Sequence, residues 1–187
     1  MKVLVAGATG AMGKQLLPRL AADGHDVVGI TRSEAKLDLV RELGATGVVA
    51  DVLDPDQVAR VVAETEPEVI IHQLTALNRP FDVRHFDRTF EETNRLRTEA
   101  TDHLLAAGRA VGVKRFIAQS YAGWPFARTG GPVKSEDDPL DPSPPDGIKA
   151  VVRRDPLSRA RRHGRGLDRG HRASLRRLLR AGHLAQP

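Results

Sequence analysis

The sequence predicts an α/β protein built on a doubly wound parallel sheet. Five short apolar runs rich in β-branched residues alternate with four segments of helical spacing in residues 1–120. A strand, a helix and a second strand in this succession form a crossover unit, in which the two strands are parallel. The first apolar run also ends in a glycine-rich turn of the kind that joins a strand to a helix. We therefore predict the strand order 3-2-1-4-5, with helices on both faces.

The glycine-rich turn follows the first strand, Lys2–Ala6, and contains glycines spaced three apart at Gly7, Gly10 and Gly13. Glycine lets the backbone turn sharply, approach a pyrophosphate closely and pack the next helix against the strand. That helix, from about Met12 to Ala22, would direct its positive end at the phosphates. The turn therefore predicts a dinucleotide site, against the alternative of a purely structural turn.

The second strand, Asp26–Ile30, leads to Arg32. An acid at this strand end would bind the ribose hydroxyls of NAD, whereas a cation accommodates the 2′-phosphate of NADP. Because the acid is missing, we predict NADP as the cofactor, with NAD also admissible. Lys36, in the helix that Ser33 would cap, is a second candidate phosphate contact. The alternative is that Arg32 is a solvated loop cation.

The later elements follow from the same periodicities, and Pro and Gly residues mark their ends. Asp54 is a candidate N-cap of the helix that Pro55 begins. We expect the apolar stripe of the longest helix to face the sheet. The predicted strands are Thr46–Ala50, Glu68–His72 and Phe116–Ser120, the helices are Ser33–Leu43, Pro55–Glu66 and Thr89–Val111, and the stripe is Leu96, Ala100, Leu104 and Ala107.

Three motifs together resemble the extended and atypical short-chain dehydrogenase/reductases, the NAD-dependent epimerase/dehydratase superfamily. They are G-A-T-G-A-M-G at residues 7–13, H-Q-L-T-A at residues 72–76 and G-V-K-R-F-I-A-Q-S at residues 112–120. The resemblance implies a Rossmann-like NAD(P)-binding domain over residues 1–150, and a homodimer in the intact family fold. It implies cofactor contacts at Gly7, Thr9, Gly10, Ala11, Met12, Gly13, Arg32, Asp51, Val52, Leu74, Thr75, Ala76 and Asn94.

The catalytic residues of that family are only partly present. The family uses a Ser that orients the substrate, a Tyr that exchanges a proton and a Lys that tunes the tyrosine. Ser120 and Lys149 fit the first and last roles, but Pro145 stands where the tyrosine is expected. Tyr121, the sole tyrosine, either acts with Ser120 in an atypical way or packs as a loop aromatic. We expect His72 to point into the cleft without acting as the base.

Two classes of function follow from this pattern. The first is an NAD(P)-dependent oxidoreductase or epimerase/dehydratase acting on a small carbonyl or nucleotide-sugar substrate. The alternative is a non-catalytic NAD(P)-binding redox sensor or interaction protein, which the incomplete catalytic set favours. The chain has no cysteine, so disulfides and thiolate metal sites are excluded, and we predict no metal site. No apolar run is long enough to span a membrane, so we expect a cytoplasmic protein without a membrane partner.

The net charge of +5 hides two unlike parts. Residues 1–150 hold 18 Lys and Arg against 22 Asp and Glu, whereas residues 151–187 hold 11 Arg, no Lys and two Asp. The basic character therefore belongs to the tail, and we do not expect the folded part to bind nucleic acid.

We interpret the tail from about Arg153 onward as the poorly ordered product of a shifted reading frame. If the codons of Leu167–Ala185 are read one base later, they allow W-I-E-G-I-V-L-R-Y-G-G-F-Y-G-P-G-T-S-L, which resembles the family's sixth strand. The sheet would then be incomplete at its C-terminus and the activity impaired. The alternative is a genuine basic tail with a short helix at Ala173–Ala181.

Overall fold

The computed structural model describes residues 1–77, 86–119, 126–134, 138–139 and 141–143 of the 187-residue chain. Within these residues the chain forms one sheet with helices packed against it. In chain order the elements are β1 (Lys2–Ala6), α1 (Ala11–Ala22), β2 (Asp26–Thr31), a 3₁₀ turn (Glu34–Lys36), α2 (Leu37–Glu42), β3 (Thr46–Val49), α3 (Pro55–Thr65), β4 (Val69–His72), α4 (Phe86–Arg95), a π-helical turn (Leu96–Ala100), α5 (Thr101–Ala110) and β5 (Arg115–Ala118).

The strand order is β3-β2-β1-β4-β5, and every pairing is parallel. β1 lies at the centre, where Val3 pairs with Val27 on one side and with Val69 on the other. The chain returns to the far side of β1 only after β3, so the strand order reverses between β1 and β4. The predicted fold class and strand order are confirmed, and the reversal opens a crevice at the carboxyl ends of β1 and β4.

Each face of β1 supports a separate layer of the core, because successive side chains of a strand point to opposite faces. Leu4 and Ala6 pack with α3 and α5, whereas Val3 and Val5 pack with α1 and α2. All four side chains are fully buried. A strand that is buried on both faces reads as a continuous apolar run, which is why the sequence of β1 shows no alternation.

The longest predicted helix, Thr89–Val111, differs from the structure in two respects. The helix begins earlier, at Phe86, and its α-helical hydrogen bonding is interrupted by the π-helical turn. Thr98 Oγ1 donates to the carbonyl oxygen of Asn94 at 2.8 Å, and Thr101 Oγ1 donates to that of Arg97 at 2.9 Å. Threonine hydroxyls that bond to the preceding turn in this way bend a helix. The predicted apolar stripe nevertheless faces the sheet, with Leu96, Ala100 and Leu104 buried.

Two helix starts test the capping expectations. Asp54 caps α3, since its Oδ1 accepts from the backbone N–H groups of Asp56 and Gln57 at 2.9 and 3.1 Å. These hydrogen bonds, chiefly the one from Gln57, hold the pKa of the Asp54 carboxyl below its ordinary value. The expectation that Ser33 caps the next helix is wrong: its side chain makes no cap bond, and that segment begins as a 3₁₀ turn.

Among the helices of the described segments, none combines the length and the apolar character that crossing a bilayer requires. The interpretation of the tail from Arg153 onward lies outside the described residues. Its frameshift origin and the boundary at residue 150 therefore stay predictions.

Candidate functional site

The turn between β1 and α1 leaves no room for a Cβ atom at two of its glycines, Gly7 and Gly13. Gly7 has a φ of +98°, in the region that favours glycine, and its carbonyl accepts from the N–H of Gly10 at 3.1 Å. A Cβ at Gly13 would lie 2.3 Å from the carbonyl oxygen of Gly7. A Cβ at Gly7 would lie 2.9 Å from the carbonyl carbon of Gln73, in the loop after β4. The turn is therefore pressed between α1 and the loop on the far side of the crevice.

The N-terminus of α1 faces this crevice without a protein cap. Gly10 is the N-cap residue but has no side chain to bond the first turn, and no acidic residue lies in that turn. The first N–H groups of a helix have no intrahelical partner, and with the helix dipole they favour a bound anion. Ala11 and Met12 are exposed there, and Thr9 is half-buried. The arrangement fits a pyrophosphate.

The loop after β4 forms the opposite wall of the crevice. Ala76 is buried, and its N–H donates to the Thr93 hydroxyl of α4 at 3.0 Å. Among the described residues, two buried acceptors nearby have no hydrogen-bond partner, namely Oε1 of Gln73 and Oδ1 of Asn94. Buried acceptors of this kind are costly unless a donor reaches them. They fit a ligand that brings hydroxyl or amide N–H groups, as the ribose and carboxamide of a dinucleotide would.

His72 lies at the end of β4 but does not point into the cleft, so that expectation is wrong. Its side chain is buried, its Nδ1 accepts from the N–H of Leu74 at 3.2 Å, and its Nε2 lies 3.0 Å from the carbonyl oxygen of Leu96. Because Nδ1 accepts, Nε2 carries the proton and donates it to Leu96. Burial lowers the pKa of His72, and the charge of Arg97 lowers it further. The neutral ring therefore connects the loop after β4 to the π-helical turn by two hydrogen bonds.

The other end of the crevice is formed by the ends of β2 and β3 and by α4. Asp51 Oδ1 accepts from the N–H of Leu53 at 3.0 Å, and Val52 is buried with its carbonyl 3.1 Å from Nδ1 of His103. Arg32 is bonded to a carboxylate of α4, with its Nη1 3.1 Å from Oε1 of Glu92.

Most of the proposed cofactor contacts therefore surround one crevice. The glycine turn and the loop residues Leu74 and Thr75 lie at one end, while Arg32 and Asp51 lie at the other. Asn94 lies on α4, next to the Thr93 that bonds Ala76. Ser120, Tyr121 and Lys149, the predicted catalytic residues, lie outside the described residues. Sequence reasoning missed Thr93 and Glu92, whose roles depend on partners 17 and 60 positions away along the chain.

Within the described ranges, no group of three or more His, Asp and Glu side chains could hold a metal ion.

Comparison with known proteins agrees with this geometry. The model of a family described as NAD(P)H-binding matches residues 7–143. A 3-diazoavenalumate denitrifying reductase from a Streptomyces species is 44% identical over 154 residues, which cover 82% of this chain and 48% of that protein. A UDP-glucose 4-epimerase from Mycolicibacterium smegmatis is 33% identical over 152 residues, covering 78% and 46%. The chain thus spans about half the length of these relatives.

Solved structures share the fold. The UDP-Glc/GlcNAc 4-epimerase of Campylobacter jejuni aligns with a TM-score of 0.69 at 20% identity, covering 91% of this chain and 50% of that one. The UDP-glucose 4-epimerase of Bifidobacterium longum, solved in complex with NAD⁺ and UDP, aligns with a TM-score of 0.64 at 23% identity, covering 90% and 50%.

The glycine turn yields a first prediction. Gly13→Ala places a methyl group against the carbonyl of Gly7, so we expect a loss of about 1–3 kcal/mol in the free energy of unfolding. We expect the affinity for NADH and NADPH to fall at least about tenfold, because the turn must move. Chemical denaturation and cofactor titration measure the two effects. Gly131→Ala is the control, since a Cβ there meets nothing within 4 Å.

The buried side chain of His72 yields a second prediction. The unfolded chain protonates a histidine near pH 6.5, whereas the folded chain holds the pKa of His72 lower. The unfolded state therefore binds more protons as the pH falls below 6.5, and stability decreases by up to about 1.4 kcal/mol per pH unit. We expect His72→Gln to be less stable than the wild type at pH 7.5. The variant should also lack the part of the loss of stability below pH 6.5 that comes from protonation of this histidine.

Urea unfolding at several pH values between 5 and 7.5 gives the free energy of unfolding of the wild type and of His72→Gln as a function of pH. The difference between the two free energies should shrink as the pH falls. A difference in the free energy of unfolding that stays constant over the whole pH range would contradict a buried, neutral His72.

Proposed function

The chain belongs to the NAD(P)H-binding family, and from this premise we propose that it is the cofactor-binding part of an NAD(P)H-dependent reductase. Its resemblance to the NAD-dependent epimerase/dehydratase superfamily is established by the family match and by the named relatives. The observation that carries the proposal is the crevice between β1 and β4. Its glycine turn, uncapped helix and unpartnered acceptors together suit a dinucleotide.

Each part of the crevice has a role in this proposal. The first turn of α1 binds the pyrophosphate through backbone N–H groups. Asp51 and Val52 contact the adenosine half. Leu74, Thr75 and Ala76 line the nicotinamide side, where Gln73 and Asn94 supply acceptors to the ribose or the carboxamide. A bound nicotinamide cofactor supplies hydride, and these residues hold it in place and exclude water.

We propose the reductive removal of a diazo group as the reaction class, by analogy with the 44% identical reductase. For a carbon-bound diazonium group, N₂ leaves with the electron pair of the C–N bond, and hydride then forms a C–H bond at that carbon. The charges balance when NAD(P)H becomes NAD(P)⁺, and no proton is consumed. Such a reaction does not need the tyrosine acid, which agrees with Pro145 at the tyrosine register. Ser120 and Lys149 would then orient the substrate and the cofactor.

A second candidate is the epimerisation or dehydration of a nucleotide sugar. The observation that favours it is the 33% identity to a UDP-glucose 4-epimerase. This chemistry withdraws hydride from a carbinol carbon while a base removes the hydroxyl proton. Tyr121 is the sole tyrosine of the sequence, and its phenolate would take that proton, with Ser120 beside it in sequence. A third candidate is a binding protein that uses the cofactor as a signal without turning it over.

One experiment separates the three candidates. The chain is mixed with NADPH or NADH and, in parallel, with an arenediazonium salt, small aldehydes and ketones, and UDP-glucose. Loss of absorbance at 340 nm with release of one N₂ per cofactor supports the diazo reductase, and a blank without protein corrects for direct reaction. Conversion of UDP-glucose without net cofactor loss supports the epimerase. Tight cofactor binding without turnover of any substrate would overturn both enzymatic proposals and favour the binding protein.

We further propose NADP(H) as the preferred cofactor because of Arg32. A charge-assisted contact with the 2′-phosphate contributes about 1.5–3 kcal/mol, so NADPH should bind roughly tenfold or more tightly than NADH. We expect Arg32→Ala to abolish the preference by weakening NADPH binding alone. Fluorescence titration of both cofactors against both proteins measures this. Equal affinities in the wild type would refute the preference.

A further inference from the structure

The cation at the end of β2 has a carboxylate partner that comes from a distant element. Nη1 of Arg32 lies 3.1 Å from Oε1 of Glu92 on α4, across 60 positions of sequence. The Arg32 side chain is 58% exposed and that of Glu92 is 28% exposed. An ion pair this accessible to water contributes about 0–1 kcal/mol to stability. A competing anion can therefore replace the carboxylate at little cost.

An acid and a cation at this position have opposite consequences for cofactor choice. A carboxylate at the end of β2 accepts hydrogen bonds from the ribose 2′-hydroxyl of NAD and repels a 2′-phosphate, whereas a guanidinium attracts that phosphate. The immediate neighbours of Arg32 in sequence are uncharged, since Thr31 precedes it and Ser33 follows, and the nearest acid, Glu34, belongs to the following 3₁₀ turn. The fold adds the missing acid by bringing Glu92 into contact with Arg32. The cation Arg32 and the acid Glu92 thus both lie at the end of β2.

We propose that Glu92 is a specificity-determining residue that opposes Arg32 and sets the balance between NAD(H) and NADP(H). With NAD(H), which carries no 2′-phosphate, the ion pair stays closed. With NADP(H), the 2′-phosphate displaces Glu92 from Arg32, so part of the binding energy is spent on breaking the pair and on repulsion from the carboxylate. This inference rests on the proposed function, because it assumes that the crevice binds a dinucleotide.

The neighbouring charges do not provide the same selection. Arg95, one turn further along the helix, is held by both carboxylate oxygens of Glu99, with Nε to Oε1 at 3.0 Å and Nη2 to Oε2 at 2.8 Å. Asp51 at the end of β3 has one carboxylate oxygen bonded to the N–H of Leu53. The Arg32–Glu92 pair is the one that joins the end of β2 to α4 in the described part of the chain.

The test uses the 187-residue chain and four variants, Glu92→Gln, Arg32→Gln, the double variant and Glu64→Gln. Glu64 is the matched control because it also forms an exposed pair with an arginine, Arg60, but on α3. Dissociation constants for NADH, NADPH, 5′-AMP and 2′,5′-ADP are measured by titration calorimetry. The two adenosine fragments isolate the 2′-phosphate from the nicotinamide half. Thermal melting checks that each variant folds.

We expect Glu92→Gln to tighten NADPH and 2′,5′-ADP binding by about threefold to fivefold, the upper part of the range for a released surface ion pair. NADH binding should weaken by about twofold or stay unchanged, so the ratio of the two affinities moves toward NADPH. In the Arg32→Gln background the same substitution should tighten NADPH binding less, because the contact between Arg32 and Glu92 is already absent. Glu64→Gln should leave the ratio unchanged. The gain should also shrink between 0.05 and 0.5 M salt, roughly as screening predicts.

Two failures are distinguishable. If the wild type binds neither cofactor, the proposed function fails and the inference fails with it. If both cofactors bind but Glu92→Gln leaves their ratio within twofold of the wild type, only the inference is overturned. An equal tightening of NADPH binding in the Arg32→Gln background would also overturn it, since the effect would then not depend on the pair.

Discussion

The structure depends on a close approach between two stretches of backbone at the centre of the sheet. The carbonyl of Gly7 faces the Cα of Gly13 on one side, and Gly7 itself contacts the backbone of Gln73 on the other. A methyl group at Gly13 would force α1 away from β1, and one at Gly7 would force the loop after β4 away from the turn. Because these elements meet without side chains, the α1 N-terminus opens directly onto the crevice where the strand order reverses. The position of the binding site is thus a consequence of packing.

A second constraint holds the opposite wall of the crevice. The neutral ring of His72 bonds the backbone of Leu74 on one side and that of Leu96 on the other. Leu96 is the first residue of the π-helical turn, and a π-helical turn often marks a functional position. The helix is therefore distorted where it supports the loop that would line the nicotinamide side. A buried, uncharged imidazole suits this role because it both donates and accepts at fixed positions.

The adenosine end of the crevice combines charges from both halves of the sheet. Arg32 follows β2 and Glu92 lies on α4. The electrostatic potential at this end therefore depends on how the two halves of the sheet are packed together. In proteins of this architecture, the residue at the end of β2 is commonly read as the determinant of cofactor choice. Here the carboxylate that opposes it is invisible in the local sequence. On our proposal, cofactor preference is a property of the assembled crevice, and a change on α4 alters it without touching β2.

The sequence by itself determined the fold class, the parallel strand order and the glycine turn, because each depends on local periodicity or on residues a few positions apart. It also identified the apolar stripe of the long helix and the cap formed by Asp54. It could not determine the orientation of His72, the π-helical turn, or the pairing of Arg32 with Glu92. Those features depend on contacts between segments 24 to 60 positions apart, or on threonine hydroxyls whose choice between solvent and backbone is set by packing. Tertiary structure alone brings such groups within hydrogen-bonding distance, so it alone decided the charge and the walls of the site.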